Sequence, residues 1–273
     1  MRLLWKSKKV AKEMIQSLNN FLSKFNLHLM RKSTYDRTLG WTNDHHDYAF
    51  ASVLDAADLP EYFKNLDASQ SQLRQDLFAL SEHNWKSNGY FVEFGATNGV
   101  KMSNTHLLER KFNWTGILAE PARVWQSELM QNRDSHICFE CVWKSTGETV
   151  VFNEVIDDVH NGELSTIDEF SNSDGHKKAR KNRTQYDVET ISLTDLLHKF
   201  NAPRIIDYLS IDTEGSEFEI LQAFDFSAFD IKVITCEHNY TEMREKIYDL
   251  LVANGYVRKY EKISRFDDWY VKV

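Results

Sequence analysis

The sequence predicts an α/β protein built on one mainly parallel sheet with a helical N-terminal extension. From Tyr90 onward, apolar runs of strand length alternate with segments of helix length, the pattern of strands joined by crossover helices. The 273 residues suffice for one large domain with an appendage. With 42% hydrophobic and 27% charged residues, the chain can bury an ordinary globular core. We expect residues 1–85 to form the extension and residues 86–273 to form the α/β domain.

Charge and cysteine content disfavour some classes of protein. The net charge of −8 disfavours a nucleic-acid binder, which is usually basic. Three cysteines are too few for a disulfide scaffold, and they fit a reducing compartment, so we expect a cytoplasmic protein. Cys138 and Cys141 have redox or zinc spacing, but they lie in the strand-like run "HICFECVW" without a second ligand pair. Buried thiols are the favoured interpretation.

The first 30 residues are cationic and have helical apolar spacing. They contain no long apolar core of a secretory signal, and the whole chain has no run of the roughly 18 apolar residues that a membrane span needs. An amphipathic helix is predicted, packed on the protein body or on a second subunit, which leaves a homodimer open. Its lysines also permit peripheral contact with a membrane surface.

The first half of the predicted sheet lies before residue 157. Strand segments are expected at Tyr90 ("YFVEF"), 115–121, 136–143 and 148–156, with helices at 103–112 and 122–132. Residues 157–185 then interrupt the alternation with a polar, turn-rich stretch. This stretch carries a basic group of residues, namely Lys177, Lys178, Arg180, Lys181 and Arg183. It is either a solvated loop or a lid and anion-binding edge.

The alternation resumes after this interruption. Strand-like and helical segments follow one another at 186–192, 193–200, 204–212, 216–224, 231–239 and 241–255. The final runs, "YVRKYEKI" and "DDWYVKV", are typical of a closing hairpin.

Informative polar residues follow four of the strands. In an open parallel sheet, ligands bind beyond the carboxyl ends of the strands, where the strand order reverses. The residues at these ends are Glu93, Gly95 and Gly99, then Glu120, then Asp212 and Glu214, and finally Glu237, His238 and Asn239.

The first two strand ends together favour a nucleoside-bearing ligand. A glycine directly after a strand lets a ligand approach the backbone. "GATNG" is neither G-x-G-x-x-G nor a P-loop. Glu120 follows Gly95 by about 25 residues, where an acid can accept both hydroxyls of a ribose.

Several of these segments resemble the FkbM-type methyltransferases. The resemblance lies in "FVEFGATNGV", "GILAEP", "IDYLSIDTEGSEFEIL" and "VITCEHN", with "DDWYV" at the end, and covers about residues 85–273. It implies a class I Rossmann-like fold with a seven-stranded sheet of order 3-2-1-4-5-7-6 and helices on both faces. It also implies transfer of a methyl group from S-adenosylmethionine to a hydroxyl. The family motif D-x-G-A-N-x-G is altered here, because Glu93 replaces the acid and the asparagine is displaced to Asn98.

The resemblance also implies residue roles. Glu93 would hold the cofactor's ammonium directly or through water, Glu120 would bind its ribose, and the region from Cys141 to Trp143 would flank its adenine. The cofactor-binding residues implied in this way are Glu93, Gly95, Ala96, Thr97, Asn98, Gly99, Ser103, Glu120, Pro121, Cys141, Val142 and Asp212. Asp212 and Glu214 would face the transferred methyl group, where carboxylates favour the sulfonium and help to remove the hydroxyl proton.

Two further expectations concern the acids around Asp212. Asp212, Glu237 and His238 resemble the magnesium site of catechol-type O-methyltransferases, so Mg²⁺ or Mn²⁺ could bind there. Alternatively, His238 is the general base of a metal-free site, or it only bonds nearby loops. Glu217 and Glu219 lie in the first turn of a helix, where the helix dipole favours acids, and Ser216 or Thr213 could cap that helix.

The predicted function is O-methylation of a small-molecule or glycan hydroxyl, with a sugar or glycan precursor as the expected acceptor because many relatives act on these. Three alternatives remain open: a metal-dependent nucleotide-sugar glycosyltransferase using "DTE", a nicotinamide-dependent oxidoreductase, and a non-catalytic glycan-assembly module. We expect no nucleic-acid partner.

Overall fold

A computed structural model describes residues 43–156, 162–171, 180 and 182–273. The predicted N-terminal helix, with Lys177, Lys178 and Lys181 of the basic stretch, lies outside the described residues. The chain divides after Ser52 into two compact units. Residues 53–85 belong to the same compact unit as the sheet. The expected boundary at residue 85 stays a prediction of where the family-like region begins.

The described elements alternate as the sequence indicated. The helices are α1 (Asn43–Ala51), α2 (Leu59–Asn65), α3 (Gln75–Glu82), α4 (His106–Phe112), α5 (Arg123–Asn132), α6 (Leu193–Lys199), α7 (Glu217–Ala223), α8 (Met243–Ala253) and α9 (Glu261–Ser264). The strands are β1 (Tyr90–Phe94), β2 (Thr115–Ala119), β3 (His136–Cys138), β4 (Cys141–Trp143), β5 (Thr149–Val155), β6 (Thr166–Ile167), β7 (Arg183–Ser192), β8 (Ile205–Ile211), β9 (Asp230–Glu237), β10 (Tyr256–Lys259) and β11 (Asp267–Lys272). Of the described helices, none is long and apolar enough to cross a membrane.

The main sheet has seven strands in the order β10-β11-β9-β8-β1-β2-β3. Counted along the chain within this sheet, the order is 3-2-1-4-5-7-6, which is the order that the resemblance implied. Strand β11 runs antiparallel to both of its neighbours, and the other pairs are parallel. The β10–β11 pair confirms the predicted closing hairpin.

The central strands are buried because helices cover them. All residues of β8 after Ile205 are buried, and β8 and β9 contribute Leu209 and Ile234 to one apolar core. Helices α6, α7 and α8 add leucine and isoleucine side chains to the same core. Continuous apolar runs are typical of parallel strands that are covered on both faces. Helix α3 joins the sheet through Phe78, whose ring stacks on Trp269 of β11 at 4.7 Å.

A second sheet, in the order β4-β7-β5-β6, corrects one sequence-based expectation. The run 136–143 was expected to form one strand, but it divides at Phe139 and Glu140. Strand β3 pairs with β2 in the main sheet, whereas β4 pairs with β7 in the second sheet. The run contains no glycine or proline that would mark this break. Both halves carry apolar residues that become buried, so the pattern is that of one continuous strand.

The chain path places a topological switch point between β1 and β8. From β1 the main sheet extends through β2 to β3 on one side, and the chain then returns to place β8 on the other side of β1. The crevice at the carboxyl ends of β1 and β8 is therefore the expected ligand position.

Candidate functional site

The turn after β1 lies directly against the end of β8. Gly95 has a φ of +72°, and a Cβ atom there would lie 2.1 Å from the carbonyl oxygen of Asp212. Its N–H, like that of Ala96, donates to the carbonyl of Ala119 at the end of β2. Only glycine permits this close approach without strain. Gly95 therefore allows the ends of β1, β2 and β8 to meet at the switch point.

Glu120 ties the same turn to the end of β2. Its Oε2 accepts a hydrogen bond from the Thr97 N–H, and its Oε1 accepts one from the Ala122 N–H, both at 2.8 Å. Burial raises the pKa of Glu120 to about 7, although these two backbone bonds oppose the shift. Each carboxylate oxygen keeps a second lone pair, so Glu120 remains able to accept hydroxyls.

Glu93 is buried, and its carboxylate is used by the protein. It accepts hydrogen bonds from Ser103 Oγ, the Asn104 N–H and Thr105 Oγ1, at 3.0, 2.6 and 2.6 Å. The guanidinium of Arg133 lies 3.7 Å away. Burial raises the pKa of Glu93, and Arg133 opposes the shift. The geometry therefore makes Glu93 an anchor of the segment before α4, and its expected contact with the cofactor's ammonium, directly or through water, stays a prediction.

Asn98 and Ser103 also shape the loop. The Asn98 side-chain oxygen accepts hydrogen bonds from the N–H groups of Val100 and Lys101, both at 3.0 Å. Ser103 is buried between Glu93 and Arg133. Together with the packing of Gly99 against Arg133, these contacts stabilise the loop after β1.

Three carboxylates converge at the ends of β8 and β9. Asp212, Glu214 and Glu237 each place an oxygen within 4.8 Å of the others, and we call them the acidic trio. Burial raises the pKa of Asp212 to about 7, and the charge of Glu217 adds to this shift. Burial also raises the pKa of Glu237, with Asp212 as the next cause. Burial thus favours the protonated forms of Asp212 and Glu237. The three carboxylates together have the oxygen-only chemistry of a cation site.

A buried arginine from the interrupted stretch pairs with the trio. Arg180 Nη2 lies 2.7 Å from Glu214 Oε2, and its Nε donates to the carbonyl of Leu164. Thr166 Oγ1 of β6 donates to the Glu214 carbonyl at 3.0 Å. Asn239 Nδ2 donates to Glu237 Oε2 at 2.7 Å. Of the predicted basic group, Arg180 thus neutralises a protein carboxylate at the site.

His238 lies outside the trio, which corrects the metal set predicted from sequence. Its ring is buried, its Nδ1 accepts the Tyr240 N–H at 3.0 Å, and its Nε2 lies 3.8 Å from Asp268. Burial lowers the pKa of His238. Glu237 and His238 are consecutive, and successive side chains of an extended chain point to opposite sides. Glu214 occupies the place in the cluster that was expected for His238.

The structural role expected for Glu217 is confirmed, but the expected cap is not. Glu217 Oε1 accepts hydrogen bonds from the Thr213 N–H, Thr213 Oγ1 and the Gly215 N–H, each at 3.0 Å. Ser216, the N-cap residue of α7, makes no side-chain cap bond. A carboxylate inside the helix thus closes the turn after β8 and fixes the backbone around Glu214.

Two residues of the site were missed by the sequence reasoning. Asp267, the first residue of β11, is buried opposite Glu237, and its Oδ2 accepts a hydrogen bond from Gln75 Nε2 at 2.8 Å. Burial raises the pKa of Asp267 to about 8. The acids of "DDWYV" were a usable signal for Asp267. No signal in the sequence pointed to Gln75, which lies 192 residues from Asp267.

A cleft of about 500 Å³ lies beside β3. Its lining includes Pro121, Cys138, Phe139 and Glu140. Cys141 and Val142 are buried in the second sheet, and their expected place near an adenine stays a prediction. The thiols of Cys138 and Cys141 are free, and burial raises their pKa values to about 11 and about 12. They are core thiols, as the sequence favoured.

Comparison with known proteins gives one family match. The model of the methyltransferase FkbM domain matches residues 93–260. No curated protein matches the chain. A solved structure, the precorrin-6y C5,15-methyltransferase from Geobacter metallireducens GS-15, is 10% identical, with 67% of this chain and 71% of that chain covered. Its TM-score is 0.35, which is too low for an argument about fold or function.

Proposed function

The chain belongs to the FkbM methyltransferase family, and on that premise we propose that it is an S-adenosylmethionine-dependent O-methyltransferase with a class I Rossmann-like fold. Family membership makes it a methyltransferase and implies S-adenosylmethionine as the methyl donor. The observation that carries the proposal is the meeting of the Gly95 turn, Glu120 and Asp212 at the switch point between β1 and β8.

The residues present fit this cofactor. Glu120 would accept the ribose hydroxyls, and the backbone at Gly95 is open to close approach. Pro121 and Phe139 would flank the adenine in the cleft beside β3, with Glu140 as an acceptor for its amino group. The bound cofactor supplies an electrophilic methyl group on a cationic sulfur, and the acidic trio favours that charge.

Asp212 is the proposed acceptor of the hydroxyl proton. Its side chain is half-buried at the mouth of the site, and its raised pKa suits proton transfer near neutral pH. Glu214 is held by Arg180 and by its own turn, so its role is to position the trio. The protein otherwise acts by aligning the hydroxyl with the methyl group and excluding water.

A divalent cation is the alternative partner of the trio. Mg²⁺ or Mn²⁺ accepts carboxylate oxygens and lowers the pKa of a bound hydroxyl. Asp212, Glu214 and Glu237 would hold it, without His238. We favour metal-free transfer because Arg180 already places a cation on Glu214. If methyl transfer required Mg²⁺, the metal-dependent mechanism would be supported.

The acceptor that we propose is a hydroxyl of a sugar or glycan precursor, on the basis of the family resemblance. Glycosyl transfer and nicotinamide chemistry are alternatives that a binding experiment separates, and a non-catalytic role predicts either no cofactor binding or binding without turnover. The first two predict different ligand preferences, so cofactor binding comes before any search for the acceptor.

The test is calorimetric titration of the purified full chain with S-adenosylmethionine and S-adenosylhomocysteine, with and without Mg²⁺. NADH and UDP-glucose serve as control ligands. We expect selective binding of both sulfur ligands, weakened by Glu120→Ala and unchanged by Glu148→Ala, an exposed glutamate directly before β5. Binding of NADH or UDP-glucose with no binding of either sulfur ligand would refute the proposal.

A further inference from the structure

Asn104 bridges the two strands that flank the switch point. Its backbone N–H donates to Glu93 Oε1 at 2.6 Å, and its Nδ2 donates to Ser210 Oγ at 2.9 Å. Glu93 and Ser210 are directly opposite each other on β1 and β8. The side-chain amide therefore lies beside the crevice where an open α/β sheet binds its ligand.

The oxygen of this amide is unused. Asn104 is 9% exposed, and among the described residues no donor reaches its Oδ1. Most buried polar atoms of proteins have a hydrogen-bond partner, so an unpaired one calls for an explanation. A donor brought by a ligand would satisfy it.

A bound S-adenosylmethionine would bring such a donor. Its methionine part carries an ammonium group, which needs acceptors in a buried site. The carboxylate of Glu93 already serves Ser103, Asn104 and Thr105 and lies beside Arg133. Beside it, the Asn104 oxygen is a buried acceptor that no donor of the described residues uses.

We propose that Asn104 Oδ1 accepts a hydrogen bond from the α-ammonium of the cofactor, an inference that rests on the proposed function. Ser210 is a positioning residue, because its hydroxyl holds the amide nitrogen and so turns the oxygen toward the ligand. Glu93 acts one step further away, by fixing the Asn104 backbone.

The experiment compares two ligands that differ in the amino-acid part. S-adenosylhomocysteine has the ammonium, whereas 5′-methylthioadenosine has the same nucleoside and thioether without it. Both are titrated calorimetrically into the wild type and into Asn104→Leu, Asn104→Ser and Asn104→Asp. We expect Leu and Ser to weaken S-adenosylhomocysteine binding by about 10- to 100-fold, as for loss of one hydrogen bond to a charged group. Binding of 5′-methylthioadenosine should not change, and Asp should retain the affinity because it keeps an acceptor.

The matched control is Asn65→Leu. Asn65 of α2 is also buried with an unpaired Oδ1, but its Nδ2 contacts only Glu61 among the described residues. It should leave both affinities unchanged. Unchanged S-adenosylhomocysteine binding by the Leu and Ser variants at Asn104, or equal loss of both ligands, would overturn the inference. If the wild type binds neither ligand, the proposed function itself fails, and that result is distinct.

Discussion

Replacement of Gly95 by alanine should destabilise the protein and displace Asp212. The added Cβ would lie 2.1 Å from the Asp212 carbonyl oxygen, a distance at which the backbone must move. The φ of +72° adds the conformational cost of a left-handed residue, about 1–2 kcal/mol. Overpacking in a tight site adds typically about 1–3 kcal/mol. We therefore expect Gly95→Ala to lower the free energy of unfolding by roughly 2–5 kcal/mol.

The chain supplies a control that separates these two contributions. Gly255 follows α8 with a φ of +86°, and a Cβ there meets nothing within 4 Å. Gly255→Ala should therefore show only the conformational cost, about 1–2 kcal/mol. Urea unfolding followed by circular dichroism measures both variants. Calorimetry with S-adenosylhomocysteine should show weakened binding for Gly95→Ala alone.

Equal destabilisation by the two substitutions would refute this reasoning. It would mean that the turn after β1 moves away from β8 without cost, and that close packing of Gly95 on Asp212 is not what holds the site. Normal ligand affinity of Gly95→Ala would remove this contact from the binding site as well.

The remaining predictions test charge and chemistry at the same edge of the sheet. Arg180→Met should cost about 3–5 kcal/mol in urea unfolding, because it removes the buried guanidinium that pairs with the buried Glu214, whereas Arg183→Met at a half-exposed pair should cost about 0–1 kcal/mol; equal costs would contradict the ion-pair argument. Asp267 has a folded-state pKa raised from 3.8 to about 8, so the native state holds a proton that the unfolded state loses, and the free energy of unfolding should fall as pH rises from about 4 to 8. Asp267→Asn should flatten that slope by at most about 1.4 kcal/mol per pH unit, and an unchanged slope would show that Asp267 ionises normally. Asp212→Asn should lower kcat for methyl transfer by about 100-fold or more while S-adenosylhomocysteine affinity stays the same, and an active variant would exclude Asp212 as the proton acceptor.

Two properties of the site follow from its surplus of acids. Glu120, Asp212, Glu237 and Asp267 all have raised pKa values with burial as the first cause. Arg133 and Arg180 lie against other carboxylates, Glu93 and Glu214. Raised pKa values mean that these carboxyl groups favour their protonated forms in the ligand-free site. When they lose their protons, their negative charge attracts a cationic ligand.

The amino-acid sequence determined the architecture at the level of elements. Alternating apolar runs located the strands of the main sheet, because a strand buried on both faces must be apolar throughout. The residues that end these runs, Glu93, Gly95, Glu120, Asp212 and Glu237, could be named from the printed sequence because the carboxyl ends of parallel strands share one edge. The strand order came from the family resemblance, since periodicity does not specify which strands are neighbours.

The tertiary structure decided what each of these side chains meets. Glu93 is an anchor because Ser103, Asn104 and Thr105 fold back onto it, and His238 leaves the trio because it points away from Glu237. Arg180 and Gln75 reach the site from remote parts of the chain. Local pattern fixes where a strand ends and which way a side chain faces, but hydrogen-bond partners depend on packing between segments far apart in sequence. Which hydrogen-bond partner each donor and acceptor has was therefore decided by the tertiary structure alone.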